Sequence, residues 1–352
     1  MADKRTGAIS AWTDVAPGLA IFRLKAEAGA PFPDYRAGQY IALTRENCKL
    51  TTKVKGADGH IHYEPSLNDD GTPKLRAVTH SYSIASAPYE TKETGELEIY
   101  VTLEKVGHGR FGRFTESLFA ASPHVGDTLG YMDRIVGNFT LDQRAAGALN
   151  VVMVGTGTGL APFVGMMKQV AHEARAGRPS PVKYTLIHAN RTAAELGYDA
   201  ELRALSAEKI PGFDFTYVRS ISRPTADDAK DPQLSQGRAN NLFRSLLGLP
   251  TREQELLDSA HASDSHVVAA QHAVDKSTKP VLGSGVDGDA LRARMPAGTT
   301  TVLTCGNGEL MEDIRRICEK AGFKFEMEEW SRERDPHRPS ESHTPRCPTA
   351  RL

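Results

Sequence analysis

The run Val154-Gly155-Thr156-Gly157-Thr158-Gly159-Leu160-Ala161-Pro162-Phe163 places glycine at every second position, where an apolar strand-like stretch passes into a helix-like one. Glycines at such a junction permit a tight turn and let a pyrophosphate approach the backbone. The helix N-terminus beyond them offers unpaired N–H groups and a dipole that favours an anion. A tight turn of this kind also serves any doubly wound sheet, and the spacing departs from GxGxxG. Arginines recur downstream: Arg191 follows TLIHAN, Arg223 follows TYVRSIS as Ser222-Arg223, and Arg238 stands in Gln236-Gly237-Arg238. Each taken alone reads as a solvated surface residue. Three of them, each just past a candidate strand, sit where open α/β sheets bind ligands. Guanidinium groups there suit a phosphate through bidentate, charge-assisted bonds. The second such strand ends His188-Ala189-Asn190-Arg191, with no acidic residue to hold a free ribose 2′-hydroxyl. That combination points to NADP rather than NAD.

Two stretches of the first half carry further polar groups. His80-Ser81-Tyr82-Ser83-Ile84-Ala85-Ser86 reads as a strand with a polar edge. Gly107-His108-Gly109-Arg110-Phe111-Gly112-Arg113-Phe114-Thr115-Glu116-Ser117 offers glycines, arginines and hydroxyls where a helix begins. Such a loop could hold a second pyrophosphate, or serve only as a loop and helix cap.

The elements that must position these groups fall into two halves. The first is β-rich, with candidate strands at Ala20–Lys25, Tyr40–Thr44 and Leu97–Leu103, where apolar and polar residues alternate. Gly, Asp, Asn and Pro between Arg45 and Ala77 mark a long loop or an extra hairpin. From Leu149 the character changes. LNVVMV, VKYTLIHA, FDFTYVRSI and TTTVLTCG are strand-like apolar runs typical of strands buried on both faces, with helix-compatible stretches between them. The boundary is placed near residue 146, giving domains 1–146 and 147–330. Thr251–Pro296 reads as an insertion ahead of the last buried run; both long insertions could change partner docking or lie inert on the surface, and the inert reading is the one expected. Residues 331–352, rich in Arg, Ser and Pro, are expected to be disordered. The chain has 352 residues, 43 Lys plus Arg against 44 Asp plus Glu, and a formal net charge of −1, which argues against a general polyanion binder. Its 39% hydrophobic and 25% charged residues describe an ordinary soluble globular protein. No run approaches the roughly 18 apolar residues of a membrane span, and MADKRTGAIS lacks a secretory apolar core, so a cytoplasmic location is expected. Cys48, Cys305, Cys318 and Cys347 form no CxxC pair and match no zinc or iron–sulfur spacing.

The order of these pieces resembles the ferredoxin–NADP(H) reductase family, from about Ala20 to Trp330. Tyr82-Ser83-Ile84-Ala85-Ser86 is similar to its Arg-x-Tyr-Ser flavin signature, and Gly112-Arg113-Phe114-Thr115 to its second flavin motif. Pro123–Asp127 with Val136-Gly137-Asn138-Phe139 resembles the stretch leading out of the flavin barrel. GTGTGLAPF resembles the nicotinamide-pyrophosphate loop, Cys305-Gly306-Asn307 the Cys-Gly element near the nicotinamide, and Glu328-Glu329-Trp330 the end of the bacterial branch. The resemblance implies an N-terminal antiparallel β-barrel binding FAD and a C-terminal doubly wound α/β domain binding NADP(H). FAD would be held by His80, Ser81, Tyr82, Ser83, Tyr100, Thr102, Gly112, Arg113, Phe114 and Thr115, with Trp330 stacked over its ring. NADP(H) would lie along Gly155, Thr156, Gly157, Thr158 and Gly159, with its 2′-phosphate among Asn190, Arg191, Ser222, Arg223 and Arg238. Cys305, Gly306 and Asn307 would border the nicotinamide, and Ser83, Cys305 and Trp330 would be the catalytic residues. His80 stands where the family usually has an arginine; a neutral His offers one N–H in place of a five-donor fork, and Arg110 or Arg113 could supply the charge. The activity implied is electron transfer between NADPH and a one-electron carrier, ferredoxin or flavodoxin, with no metal, nucleic acid or membrane partner. The alternatives are a reductase component feeding an oxygenase system and a flavin- or nucleotide-binding module without turnover.

Overall fold

Leu19, Ala20, Phe22 and Leu24 are buried while Arg23 is exposed, the period-two burial of a strand with one face on a core. In the computed structural model, which describes residues 3–27, 29–56, 61–107, 109–260 and 264–328, this pattern belongs to a six-stranded antiparallel sheet. The first half comprises β1 (Lys4–Ala16), β2 (Leu19–Ala26), β3 (Tyr40–Lys49), β4 (Thr51–Lys55), β5 (Ile61–Pro65), β6 (Leu75–Ser83), α1 (Pro88–Thr94), β7 (Glu96–Thr102), β8 (Lys105–Gly107), β9 (Arg110–Phe111), α2 (Arg113–Phe119), β10 (Thr128–Val136) and α3 (Leu141–Arg144). The sheet order is β6-β3-β10-β1-β2-β7. A bridge between Ile84, just past β6, and Ile99 of β7 joins the two edges, so the sheet curls into a barrel. The segment after β3 supplies the paired strands β4 and β5, the extra hairpin that its turn residues allowed.

The second half comprises β11 (Asn150–Thr156), α4 (Ala161–Arg175), β12 (Lys183–Asn190), α5 (Asp199–Ala207), β13 (Asp214–Ile221), β14 (Ser235–Gln236), α6 (Ala239–Leu246), α7 (Arg252–Asp258), α8 (Asp264–Lys276), α9 (Gly288–Ala293), β15 (Thr300–Cys305), α10 (Gly308–Ala321) and β16 (Lys324–Met327). Its strands are all parallel, in the order β14-β13-β12-β11-β15-β16. β15 is buried throughout and β11 nearly so, as strands covered by helices on both faces must be. Strand order reverses between β11 and β15, which makes the crevice beyond their carboxyl ends the topological switch point. No helix among the described residues is long and apolar enough to cross a membrane.

The two halves share one core: Leu19, Ala85, Tyr100 and Phe139 of the first pack with Phe163, Val164 and Met166 of α4. Beside it Lys168 of α4, 8% exposed, lies 3.3 Å from Glu90 and 3.8 Å from Glu98 of the first half, and 3.0 Å from Glu201 of α5. Its ammonium also sits 5.5 Å from the centroid of the Tyr198 ring, whose hydroxyl donates to Glu98. Burial acts to lower the Lys168 pKa, but the surrounding carboxylates prevail and raise it. Removing the cation would leave like charges facing one another. Lys168→Met is therefore expected to cost about 2 kcal/mol, below the full loss of a deeply buried pair because Glu201 is half-exposed. Thermal unfolding checks this, and an unchanged midpoint would show that the cluster does not hold the halves together.

Candidate active site

At the switch point the turn after β11 and the turn after β15 lie against each other. Residues Gly157–Leu160 form a single 3-10 turn that leads into α4. The Thr156 hydroxyl accepts from the Asn307 backbone N–H at 3.1 Å, and the Asn307 side chain caps α10 by accepting from Leu310 N–H at 3.1 Å. Gly306 adopts φ +131°, a conformation open to glycine, and a Cβ there would collide with Thr156. Gly159 has no room for a side chain either, since its Cβ would meet the Cys305 carbonyl and lie 2.6 Å from Gly306 Cα. Gly155 is buried within β11, so its part is in the turn's packing.

From this junction a cleft of about 1160 Å³ runs along the carboxyl ends of the parallel strands. Thr156, Gly157, Thr158, Gly159, Gly306 and Asn307 line one end, and Asn190, Arg191, Ser222 and Arg238 the other. Arg223 is exposed and is not among the lining residues. Asn190 is committed to its own turn, donating to the Glu195 carbonyl at 2.7 Å and accepting from Arg191 N–H at 3.0 Å. Arg191 and Arg238 each have a carboxylate beside them: Arg191 Nε lies 3.0 Å from Glu195, and Arg238 Nη1 lies 3.6 Å from Glu253. Arg252, Glu253, Leu256 and Ala273 of α7 and α8 also line the cleft, so the Thr251–Pro296 insertion does not lie inert on the surface as expected. Arg316 of α10 adds another guanidinium that the strand-end argument missed.

At the boundary between the halves, Ser83 and Cys305 meet on a third residue. β16 runs parallel to β15 and delivers Glu328 beside it, with Glu328 N–H bonded to the Thr304 carbonyl at 3.0 Å. The Ser83 hydroxyl reaches the Glu328 carboxylate at 3.0 and 3.1 Å, and the Cys305 thiol donates to it at 2.9 Å. All three are buried, with Glu328 5% exposed. Burial raises the Glu328 pKa above the ordinary carboxylate range, against the opposing bonds from Cys305 and Ser83. Glu328 is the functional candidate that sequence reading passed over in favour of Trp330; Trp330 and the tail beyond it lie outside the described residues.

The other barrel candidates are arranged around α2. His80 and Tyr82 share one face of β6, and both rings pack on Phe114, with centroids 5.6 and 5.4 Å away. Ser81 and Ser83 occupy the alternate register positions of the strand. Gly112 is the N-cap of α2, Arg113 is half-exposed at its first position, and the Thr115 hydroxyl accepts from Glu104 N–H at 3.1 Å. Tyr82 Oη is buried with no hydrogen-bond partner, and burial pushes its phenol well above the usual range. Tyr100 stands apart: its hydroxyl donates to the Glu195 carbonyl at 3.2 Å and accepts from Gly197 N–H at 3.3 Å. It fastens the barrel to the second domain. Thr102 lies on the cleft wall.

Comparison with known proteins agrees with this geometry. Residues 153–248 match the model of the oxidoreductase NAD-binding domain. The NADPH–cytochrome P450 reductase of Dictyostelium discoideum is 33% identical over 101 residues, 29% of this chain but only 15% of that protein's length. Among solved structures, the Neisseria gonorrhoeae ferredoxin NADP+ reductase with bound FAD and NADP aligns with TM-score 0.54 and 21% identity, over 93% of this chain and 99% of that one. The Amycolatopsis cytochrome P450 reductase GcoB aligns with TM-score 0.53 and 19% identity, over 93% of this chain and 70% of that one. The chain thus carries the two-domain fold of these reductase structures, as its motifs implied, and the stretch similar to the oxidoreductase NAD-binding domain lies in its second half.

Proposed function

We propose that the protein is an FAD-dependent oxidoreductase that moves electrons between NADPH and a one-electron carrier such as ferredoxin or flavodoxin. The observation that carries this reading is the meeting of Ser83, Cys305 and Glu328 where barrel and nucleotide domain touch, with Cys305 directly before Gly306 of the arginine-bearing cleft. The residues around β6 and α2 fit a flavin. Tyr82 Oη is a buried hydroxyl in want of a partner, and the helix beginning at Arg113 opens with backbone N–H groups that suit a phosphate. Bound flavin would supply a centre that accepts a hydride and gives up its electrons singly.

This chain's own residues then do the positioning. The GTGTG turn offers backbone N–H groups to the pyrophosphate, while Arg191, Ser222 and Arg238 face the 2′-phosphate. Cys305 borders the nicotinamide. Glu328, whose burial raises its pKa, accepts from Ser83 Oγ in a site from which water is largely excluded. A role feeding an oxygenase rests on the same half-reaction and finds support in the P450 reductase among the similar structures.

An anaerobic visible spectrum before and after NADPH, with NADH in parallel, tests the reading. A yellow protein bleached faster by NADPH supports it; a protein that stays colourless after incubation with FAD would overturn it. Because Arg238 lines the cleft and Arg223 does not, the phosphate clamp is tested at Arg238. Arg238→Ala should remove a charge-assisted bond worth roughly 1.5–3 kcal/mol, a loss of about 10- to 150-fold in kcat/KM for NADPH, with NADH use nearly unchanged. Equal losses with both nucleotides would sink the clamp.

A further inference from the structure

The α7–α8 insertion brings a buried carboxylate to the phosphate end of the cleft. Glu253, in the first turn of α7, is 8% exposed. Its Oε2 accepts from the Asn241 side-chain N–H at 2.7 Å, and Asn241 Oδ1 accepts from Arg252 N–H at 2.8 Å. Asn241 is fully buried on α6, so an amide occupied at both ends gives the Glu253 carboxylate one fixed seat. The remaining oxygen, Oε1, lies 3.6 Å from Arg238 Nη1, close enough for Coulombic attraction and too far for a hydrogen bond.

The neighbouring charges are matched among themselves. Arg244 holds Asp313 through two bonds of 2.9 and 2.6 Å, and Arg252 pairs with Glu255 at 2.9 Å, where Lys320 also reaches at 3.0 Å. Arg238 is the cation that faces Glu253, and its side chain is 61% exposed. A dianionic 2′-phosphate gripping Arg238 would therefore stand beside a carboxylate too buried for water to screen it well. A nucleotide with a free 2′-hydroxyl brings no such charge, and a carboxylate can accept its hydrogen bond.

We propose that Glu253 is a specificity-setting residue, placed by the insertion to oppose the arginine clamp and hold down the preference for NADPH over NADH. The inference rests on the NADP(H) reading above and adds to it a counter-charge on Arg238. In the holoenzyme, Glu253→Gln retains an acceptor for Asn241 and should tighten NADP+ binding about tenfold by titration, with NAD+ affinity changed less than twofold. Glu253→Asp, which keeps the charge and withdraws it by one methylene, should give part of that gain. In the Arg238→Ala background Glu253→Gln should give none. Unchanged or weaker NADP+ binding in Glu253→Gln would overturn the proposal and make Glu253 a residue that positions Arg238. The Arg238→Ala single variant is read separately. If it binds NADP+ as the wild type does, the clamp reading fails, and the proposal with it.

Discussion

Replacing Glu328 with glutamine should lower NADPH-driven reduction of ferricyanide by roughly 100-fold, within the range that one proton-transferring side chain supplies. The KM for NADPH should move little, because the Glu328 side chain is held by Ser83 and Cys305 and does not line the arginine-bearing cleft. One carboxylate receives both the Ser83 hydroxyl and the Cys305 thiol, and it joins residues from the two halves of the chain. The glutamine amide fits the same space but neither holds nor gives up a proton. Stability supplies an independent reading. Burial raises the carboxyl pKa in the folded state, so folding favours the protonated form. That contribution is complete below the ordinary carboxylate pKa and is lost as pH rises through the raised folded value. The wild type should therefore lose stability across that window and the variant should not, so the Tm difference between variant and wild type grows with pH. Turnover within twofold of wild type would reduce Glu328 to a structural contact. A pH-independent Tm difference would show that its ionisation is not coupled to folding.

How far this site could be read from sequence depends on the kind of signal each residue leaves. The buried strands β11, β12 and β15 announce themselves as apolar runs, and the glycine turn after β11 stands out because its spacing is local. Ser83 and Glu328 are 245 residues apart, and nothing in either neighbourhood marks their contact. Only the closing of the barrel at Ile84 and the parallel pairing of β16 with β15 bring them together. The arginines illustrate the opposite error. Position after a strand end places Arg191, Arg223 and Arg238 alike, yet Arg223 is off the cleft wall while Arg316, from a helix, is on it. The insertion was expected to lie inert on the surface. Its charges are instead satisfied by Arg244 and Asn241 of α6 and Lys320 of α10, partners that tertiary packing alone supplies.

The second large effect is expected at Gly159. Most loop glycines are explained by positive φ, but Gly159 is not among the positive-φ glycines; what it lacks is space. A methyl group there would press on the Cys305 carbonyl and come within 2.6 Å of Gly306 Cα, and both are backbone atoms that cannot swing aside as a side chain would. Gly306 is in turn held against Thr156, so relief on one side tightens the other. Gly159→Ala should therefore destabilise the fold by about 3 kcal/mol, the upper part of the ordinary range for overpacking. It should also lower turnover about 100-fold in the fraction that remains folded, since a shift of about 1 Å at Cys305 separates the thiol from Glu328. Gly157→Ala is the matched comparison. Gly157 has φ +55° and open space around its Cβ position, so its cost should be about 1 kcal/mol of backbone strain with the Cys305 contact intact. Thermal melts separate the two origins, and rates on the pair are compared at saturating NADPH because Gly157 lines the nucleotide cleft. If Gly159→Ala proves no worse than Gly157→Ala, the interlock of the two turns is not what fixes Cys305 against Glu328.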